Sequence, residues 1–261
     1  MVVPRGLKAL LKKTALARFV PSKTHGGGYR MLDPKTKKAT GARLRGVAKR
    51  IGATLWSDGE LPLPPADGVD KRGKHWRGEG GSLRRGTAVD RQVSRLCRLS
   101  ERERARSAML TLTKMVFVAL EHHGFVPFDA QRVVCDAQRG LGTAIDVVAM
   151  RGGRLVVLEL KTGFHGRKDL PAKRAGAVCA LGAPLARAKD TVLNRHFAQL
   201  AATRHLFVEE PGTLAQVRRK GVADEVDACL LYVDDGGSTL YELPEWWRKR
   251  GATIIERISR R

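Results

Sequence analysis

The residues best equipped for chemistry lie between Gly142 and Lys161, where Asp146, Glu159 and Lys161 sit on two strand-like runs joined by Gly152 and Gly153. A Gly-Gly pair between runs rich in Val, Ile and Leu predicts a two-residue hairpin loop, because both loop residues can take positive φ. That loop fixes the register. With Arg151 facing Arg154, counting back along the strands sets Asp146 directly opposite Glu159. Opposed side chains have β-carbons about 4.5–5.5 Å apart, so the two carboxylates repel unless a cation lies between them. Lys161, two residues beyond Glu159, points to the same face. On the reverse face Ile145, Val147 and Ala149 are expected to pair with Leu160, Leu158 and Val156, an apolar surface suited to a covering helix. The competing reading, a solvated strand face, accounts for a lone Glu-x-Lys but not for the opposed Asp and the apolar reverse side.

The elements that must position this hairpin flank it. Thr87–Leu99 predicts a helix with Asp90 near its start, where the positive helix end also tolerates a plain acid. Ser100 with Glu103 matches a capping box. The helix that follows, through Met115, Val116 and Leu120, is apolar nearly all round and so expected to be buried. It ends near His122 and His123, which lack the i, i+4 spacing of a metal pair and read as helix C-terminal cations. Phe125–Cys135 predicts a strand entering the sheet ahead of the hairpin. Lys189–Phe207 predicts a helix with Gln199 and Thr203 one turn apart on a shared face, and Val226–Val233 and Ser238–Leu243 predict two further strands. A basic tail closes the chain. Helices alternating with strands in this order predict an α/β fold, a mixed central β-sheet flanked by helices.

Asp146, a short turn, and Glu159-Leu160-Lys161 at the end of an apolar strand resemble the PD-(D/E)xK, or restriction-endonuclease-like, nuclease superfamily. Two flanking motifs are similar to its RecB-type, lambda-exonuclease-like branch. Arg85-Gly86-Thr87-Ala88-Val89-Asp90 resembles that branch's Gly-x-x-x-His, with Asp90 where it commonly has His. Gln199 to Thr203 resembles its Gln-x-x-x-Tyr, with Thr203 in place of Tyr. The resemblance spans roughly residues 80–245. It implies a restriction-endonuclease-like core and metal-dependent hydrolysis of DNA phosphodiesters, from an end or internally, in repair, recombination or replication. It also implies Mg²⁺, with Mn²⁺ as an alternative, held by Asp146, Glu159, the Leu160 backbone carbonyl and Asp90. Asp146, Glu159, Lys161 and Gln199 are the implied catalytic residues. Lys161 would orient the attacking water or stabilise the transition state, and Gln199 would position substrate or water.

Composition points the same way. The chain has 261 residues, with 49 Lys+Arg against 26 Asp+Glu, a formal net charge of +23 and a sequence pI near 10.7. Such a balance is the footprint of a polyanion partner, because each phosphate contact releases counterions. DNA is the expected partner. RNA is not separated from it, since no RNA-recognition motif is present, and a membrane surface or an acidic protein competes on charge alone. No apolar run reaches the roughly 18–20 residues of a membrane span. Arg85, Arg167, Lys168 and Arg195 are the expected phosphate contacts, Arg167 and Lys168 within a Gly-rich loop from Thr162 to Lys168. Cys97, Cys135, Cys179 and Cys229 are scattered singly, which predicts reduced thiols and an intracellular protein lying with nucleic acid in a nucleus or nucleoid.

Three segments are expected. Residues 1–56 carry a single acid, Asp33, among many Lys and Arg, and read as a basic N-terminal arm. A helix over Gly6–Val20 and a second over Arg43–Ile51 would make it a nucleic-acid-binding arm, a cleavable organelle transit peptide or a solvated tail. Residues 57–81 read as a Pro/Gly-rich linker, with Trp56 and Trp76 stacking on bases or pinning it to the domain, and 82–261 as the nuclease domain. The rival from another class is a non-catalytic basic DNA-binding or packaging protein on the same fold. Against it, a site without chemistry has no reason to keep Asp146, Glu159 and Lys161 together.

Overall fold

The computed structural model describes residues 3–20, 28–55, 81–163, 185–189 and 191–260. Arg167, Lys168, Trp56, Trp76 and nearly all of the expected linker lie outside the described residues. The first part of the chain forms α1 (Leu7–Thr14), β1 (Ala17–Val20), β2 (Gly28–Leu32), β3 (Ala39–Gly46) and α2 (Val47–Leu55). Next come α3 (Gly81–Leu96), α4 (Glu101–Ala105), α5 (Thr111–His122), β4 (Val126–Asp136), β5 (Leu141–Arg151) and β6 (Arg154–Thr162). The last part comprises α6 (Val192–Glu209), α7 (Thr213–Arg218), β7 (Ala223–Asp234), β8 (Gly237–Glu242), α8 (Glu245–Arg248) and α9 (Gly251–Ser259).

The β5–β6 hairpin is the organising pair. Gly152 and Gly153 both take positive φ, 57° and 81°, and the loop sets Arg151 opposite Arg154 and Val147 opposite Leu158 as its length requires. β4 pairs antiparallel with β5, β7 joins β6 in parallel, and β8 returns antiparallel along β7. Among the described residues eight strands form one mixed sheet. Each face buries its own apolar layer. Val148, Met150, Leu155 and Val157 pack with Phe197, Leu200 and Ala201 of α6, while Val147, Ala149, Val156 and Leu158 pack with Val89 and Val93 of α3 and Val116 of α5. The α/β architecture with flanking helices is thus present. No helix among the described residues is long and apolar enough to cross a membrane.

The reading of residues 1–56 as an arm is corrected. β3 runs parallel to β5, with Arg45 opposite Leu141 and Gly46 opposite Gly142, and β2 and β1 extend from it as an antiparallel ribbon. Leu7 and Leu11 of α1 and Val47, Ile51 and Leu55 of α2 are buried in the same core as Ile145 and Phe197. Their i, i+4 spacing was visible, but the density of Lys and Arg around them masked it. A buried ion pair locks the segment down. Arg132 of β4 donates to the Leu11 carbonyl and to the Thr14 hydroxyl (3.1 Å), and pairs with Glu210 just beyond α6. Glu210 also accepts from Thr213 Oγ1 at 2.8 Å.

Other boundaries shift for identifiable reasons. The first helix ends at Thr14 and gives way to a strand, and the second begins only at Val47, after β3. α3 starts at Gly81, so Asp90 lies well inside the helix instead of near its N-terminus, and the helix-end explanation for this acid falls away. The expected capping box is present, with Ser100 Oγ accepting from Glu103 N and Glu103 accepting from Ser100 N. The closing basic tail is helix α9, whose Ile254, Ile255 and Ile258 are buried. α9 packs so closely on α6 that a Cβ at Gly251 would stand 2.6 Å from the Ala201 carbonyl oxygen.

Removing residues 1–56 is expected to strip Leu7, Leu11, Val47, Ile51 and Leu55 from the core and abolish cooperative unfolding in a urea titration. A truncated protein that melts as the full chain does would restore the arm. Glu210→Ala, which strands the Arg132 guanidinium in the interior, is expected to cost about 3–5 kcal/mol in the same titration.

Candidate active site

β5 lends one of its edges to two different strands. β6 bonds it from Arg151 down to Val147, and β3 bonds it at Leu141 and Gly142. Between them, over residues 143–146, the edge has no ladder partner, and the side chains of the expected site converge on this fork. Asp146 fills the place where the β5–β6 ladder stops. Its Oδ2 accepts from the Leu160 backbone N–H at 2.9 Å, so a side chain replaces the missing backbone partner. Because N–H and C=O of one strand residue point to the same edge, the Leu160 carbonyl is also aimed at this gap. Asp146 Oδ1 accepts from Gln131 Nε2 at 3.2 Å.

The alternation expected along β5 fails at this point. Ile145 packs into the layer that faces α6, with Val148 and Met150, whereas Leu160 lies in the layer facing α3 and α5. The pairing of Ile145 with Leu160 is therefore corrected. Gln131, beside Asp146 on β4, holds φ at 54°, a left-handed conformation that costs a residue with a Cβ about 1–2 kcal/mol. Such irregularities cluster at sites that need a re-aimed side chain.

Glu159 and Lys161 occupy successive same-face positions of β6, as the strand period requires. Lys161 Nζ stands 2.6 Å from Glu159 Oε1. Gln199, reaching down from α6, donates Nε2 to the same Glu159 oxygen at 2.6 Å, and its own Oε1 lies 3.4 Å from Lys161 Nζ. Glu159 is only 2% exposed. Lys161 sits opposite Tyr232 in the β6–β7 ladder, and the Tyr232 hydroxyl lies 2.8 Å from His196 Nδ1, one turn before Gln199 on α6. Burial drives the His196 pKa well below its ordinary value, so this ring is neutral.

The charges in the fork are not balanced. Burial, then the charge of Asp146, raises the Glu159 pKa to about 7, even though Lys161 and Gln199 bond to it. Burial, then Asp146, raises Asp90 to about 8, with Lys161 pulling the other way. Asp146 is raised as well, chiefly by burial. Burial works against the Lys161 charge, yet Glu159, Asp146 and Asp90 outweigh it and lift its pKa, so the lysine is protonated. Three carboxyl groups thus share one ammonium, with Glu159 buried and Asp90, Asp146 and Lys161 half-buried around it.

The expected residues divide accordingly. Glu159, Lys161 and Gln199 are joined by hydrogen bonds, Asp146 is held beside them by the Leu160 N–H, and Asp90 lies within electrostatic range of Asp146, Glu159 and Lys161. Thr203 does not take part, because it is fully buried and its hydroxyl bonds back to the Gln199 carbonyl at 2.9 Å. Arg85 and Arg195, expected as phosphate contacts, are 4% and 6% exposed, so neither presents its guanidinium to solvent as a groove cation. Sequence reasoning missed Gln131, His196 and Tyr29. Tyr29 of β2 packs beside Gly142 and Ala144, and its hydroxyl engages Thr143 and Ala144 within electrostatic range of Asp146 and Glu159. Only His196 carried a local signal, its i, i+3 spacing to Gln199 on an inward helix face.

The donor set fits a hard divalent cation in kind, since carboxylate oxygens and a backbone carbonyl are what Mg²⁺ prefers. It is not pre-assembled. Among the described residues no three His, Cys, Asp or Glu side chains stand close enough together to hold a metal ion, and Lys161 and Gln199 occupy Glu159 instead. A separate cavity of about 310 Å³ lies at the loop end of the hairpin. Its charges are mutually paired, Arg154 with Glu225 and Arg151 with Glu242. No protein-family model matches the chain, and no curated protein matches it.

The raised carboxyls make folding bind protons. An Asp held at about 8 in the fold against 3.8 in the open chain keeps its proton longer in the native state, so stability falls as pH rises between these values. In EDTA the melting temperature is expected to decline from pH 4 toward pH 8, and Asp90→Asn is expected to flatten that decline. A melting temperature that climbs over the same range in the wild type would contradict this arrangement of charges.

Proposed function

We propose that the chain is a metal-dependent DNA nuclease that hydrolyses phosphodiester bonds at the fork beside β5. The observation that carries this reading is the under-neutralised cluster itself. Three desolvated carboxyls, Asp90, Asp146 and Glu159, share the single ammonium of Lys161 where a covered sheet opens. A structural role would be met more cheaply by apolar residues or by a balanced pair. The resemblance of Asp146 and Glu159-Leu160-Lys161 to PD-(D/E)xK nucleases of the RecB type supports the same reading, as does a net charge of +23.

Asp146, Glu159 and the Leu160 carbonyl would hold Mg²⁺, or Mn²⁺, with Asp90 completing the oxygen set. The ion, when bound, lowers the pKa of a coordinated water and offsets charge growing on the phosphoryl oxygens. The remaining tasks belong to the chain. Gln131 and the Leu160 N–H hold the Asp146 carboxylate by one hydrogen bond to each oxygen, which fixes its plane. Gln199 and the ion pair with Lys161 restrain Glu159. Lys161 would present a protonated amine that orients the attacking water or meets charge on the phosphate in the transition state. Neutral His196, bonded to Tyr232, lies within electrostatic range of this amine without competing for its charge.

Labelled linear and circular DNA, single- and double-stranded, is expected to be degraded with Mg²⁺ or Mn²⁺ and spared in EDTA. Glu159→Ala and Lys161→Ala are expected to lose at least about 100-fold in rate, the scale on which removing a charge-stabilising group acts. Survival of circles would mark an end-dependent enzyme. If folded wild type binds DNA and leaves every substrate intact with either metal, the reading as a non-catalytic DNA-binding protein replaces this one.

A further inference from the structure

The ribbon β1–β2–β3 carries a row of like charges that no local function accounts for. Arg18 pairs directly with Arg30, and Arg30 directly with Arg43, so three arginines face one another across three adjacent strands. Neighbouring strands are about 4.8 Å apart, which spreads the row over roughly 10 Å. Like charges directly opposite destabilise a sheet. Within residues 3–55 the only acid is Asp33, and its carboxylate is committed to the turn by accepting from Lys35 N (3.0 Å) and Thr36 N (2.6 Å). Among the described residues none of the three arginines makes an ion pair. Arg30 donates to the Gly41 carbonyl at 2.9 Å, and Arg43 lies along Gly28, where a Cβ would stand 3.2 Å from its Nε. The row is therefore held in place and unneutralised.

The two faces of the ribbon differ sharply. Ala17, Tyr29, Met31 and Leu44 pack inward on Val133, Cys135 and Ala144, and Phe19 meets Tyr29 edge-on at 5.8 Å. The arginines alternate with these residues and so take the opposite, outward face, where Arg18 and Arg43 are exposed. That face bears no aromatic residue among those described. Single-strand binders combine cations with aromatic stacking platforms, whereas duplex backbone is met by cations alone.

We infer that the outward arginine row of β1–β3 is a docking surface for the phosphate backbone of duplex DNA. The inference rests on the reading of the fork as a DNA-cleaving site, and places the flanking duplex beside it. β3 joins β5 at Gly142, four residues before Asp146, a separation of roughly 13 Å along an extended strand. Tyr29, next to Arg30 in the chain, reaches the same stretch of β5 from the inner face.

The test measures binding of the full chain to a labelled duplex by anisotropy, in EDTA, over a range of salt. This readout needs no cleavage, so failure of the nuclease reading and failure of the docking surface are separable. Replacing Arg18, Arg30 and Arg43 together by Gln is expected to weaken binding at least tenfold at low salt and to reduce the slope of log K against log salt by about 2 to 3. The same three positions as Lys should keep most of the slope. Arg98, Arg102 and Arg106, exposed on and after α3 and α4, remove the same charge when changed to Gln and are expected to move the slope by less than one unit. Equal losses from the two Gln sets, or no loss from the ribbon set, would overturn the proposal, as would a wild type that ignores duplex DNA. Should the triple Gln variant fail to fold by circular dichroism, Arg18→Gln alone must still lower the slope by about one unit.

Discussion

The structure depends on a division of labour along a single strand edge. β5 gives the upper part of this edge to β6 and the lower part to β3, and the residues between are bonded by neither. A buried strand edge without partners costs free energy for every orphaned group. The fold meets that cost with side chains, Asp146 for the Leu160 N–H and the Tyr29 hydroxyl for the Ala144 backbone N–H. The opening in the sheet and the cluster of ionisable groups are thus one feature. Closing the ladder would displace the Asp146 carboxylate, and removing that carboxylate would leave the Leu160 N–H unsatisfied.

This constraint explains why the N-terminal segment is built into the core. A fork needs a second branch, and only β3 supplies it. The branch is anchored at two remote points, through Leu7 and Leu11 under α6 and α7, and through Val47, Ile51 and Leu55 in the same core. Arg132 ties the anchor to the sheet by holding the Leu11 carbonyl and Glu210 at once. Gly142 permits the close approach, since a Cβ there would come within 3.0 Å of Leu44.

What the sequence disclosed follows the range of the interactions involved. The hairpin register was legible from Val147 to Arg151 because a two-residue Gly-Gly loop determines it locally, but the expected pairing of Asp146 with Glu159 lies beyond the end of that ladder, where Asp146 meets the Leu160 N–H instead. Gln199 was legible by resemblance and by its place on an inward helix face. The N-terminal strands were not, because their pairing with β5 joins Gly46 to Gly142 across a long stretch of chain, and their apolar residues are few among many cations. Gln131 and the misplacement of Ile145 were hidden for another reason. Both come from a break in strand period, and alternation can predict only strands that do not break. The burial of Arg85 and Arg195, named as phosphate contacts, was not legible either, since spacing does not report burial.

The strand period also joins the two faces of the ribbon into one device. Tyr29 and Arg30 are consecutive, so extended backbone sends one inward to the fork and the other outward to solvent. A rigid anion lying along Arg18, Arg30 and Arg43 would relieve a repulsion that now opposes the pairing of β1, β2 and β3. Tighter pairing in the ribbon steadies β3 against β5, and with it the Tyr29 hydroxyl beside Thr143 and Ala144. The inner face at the fork and the outer face of the ribbon are thus set by the same few strand residues.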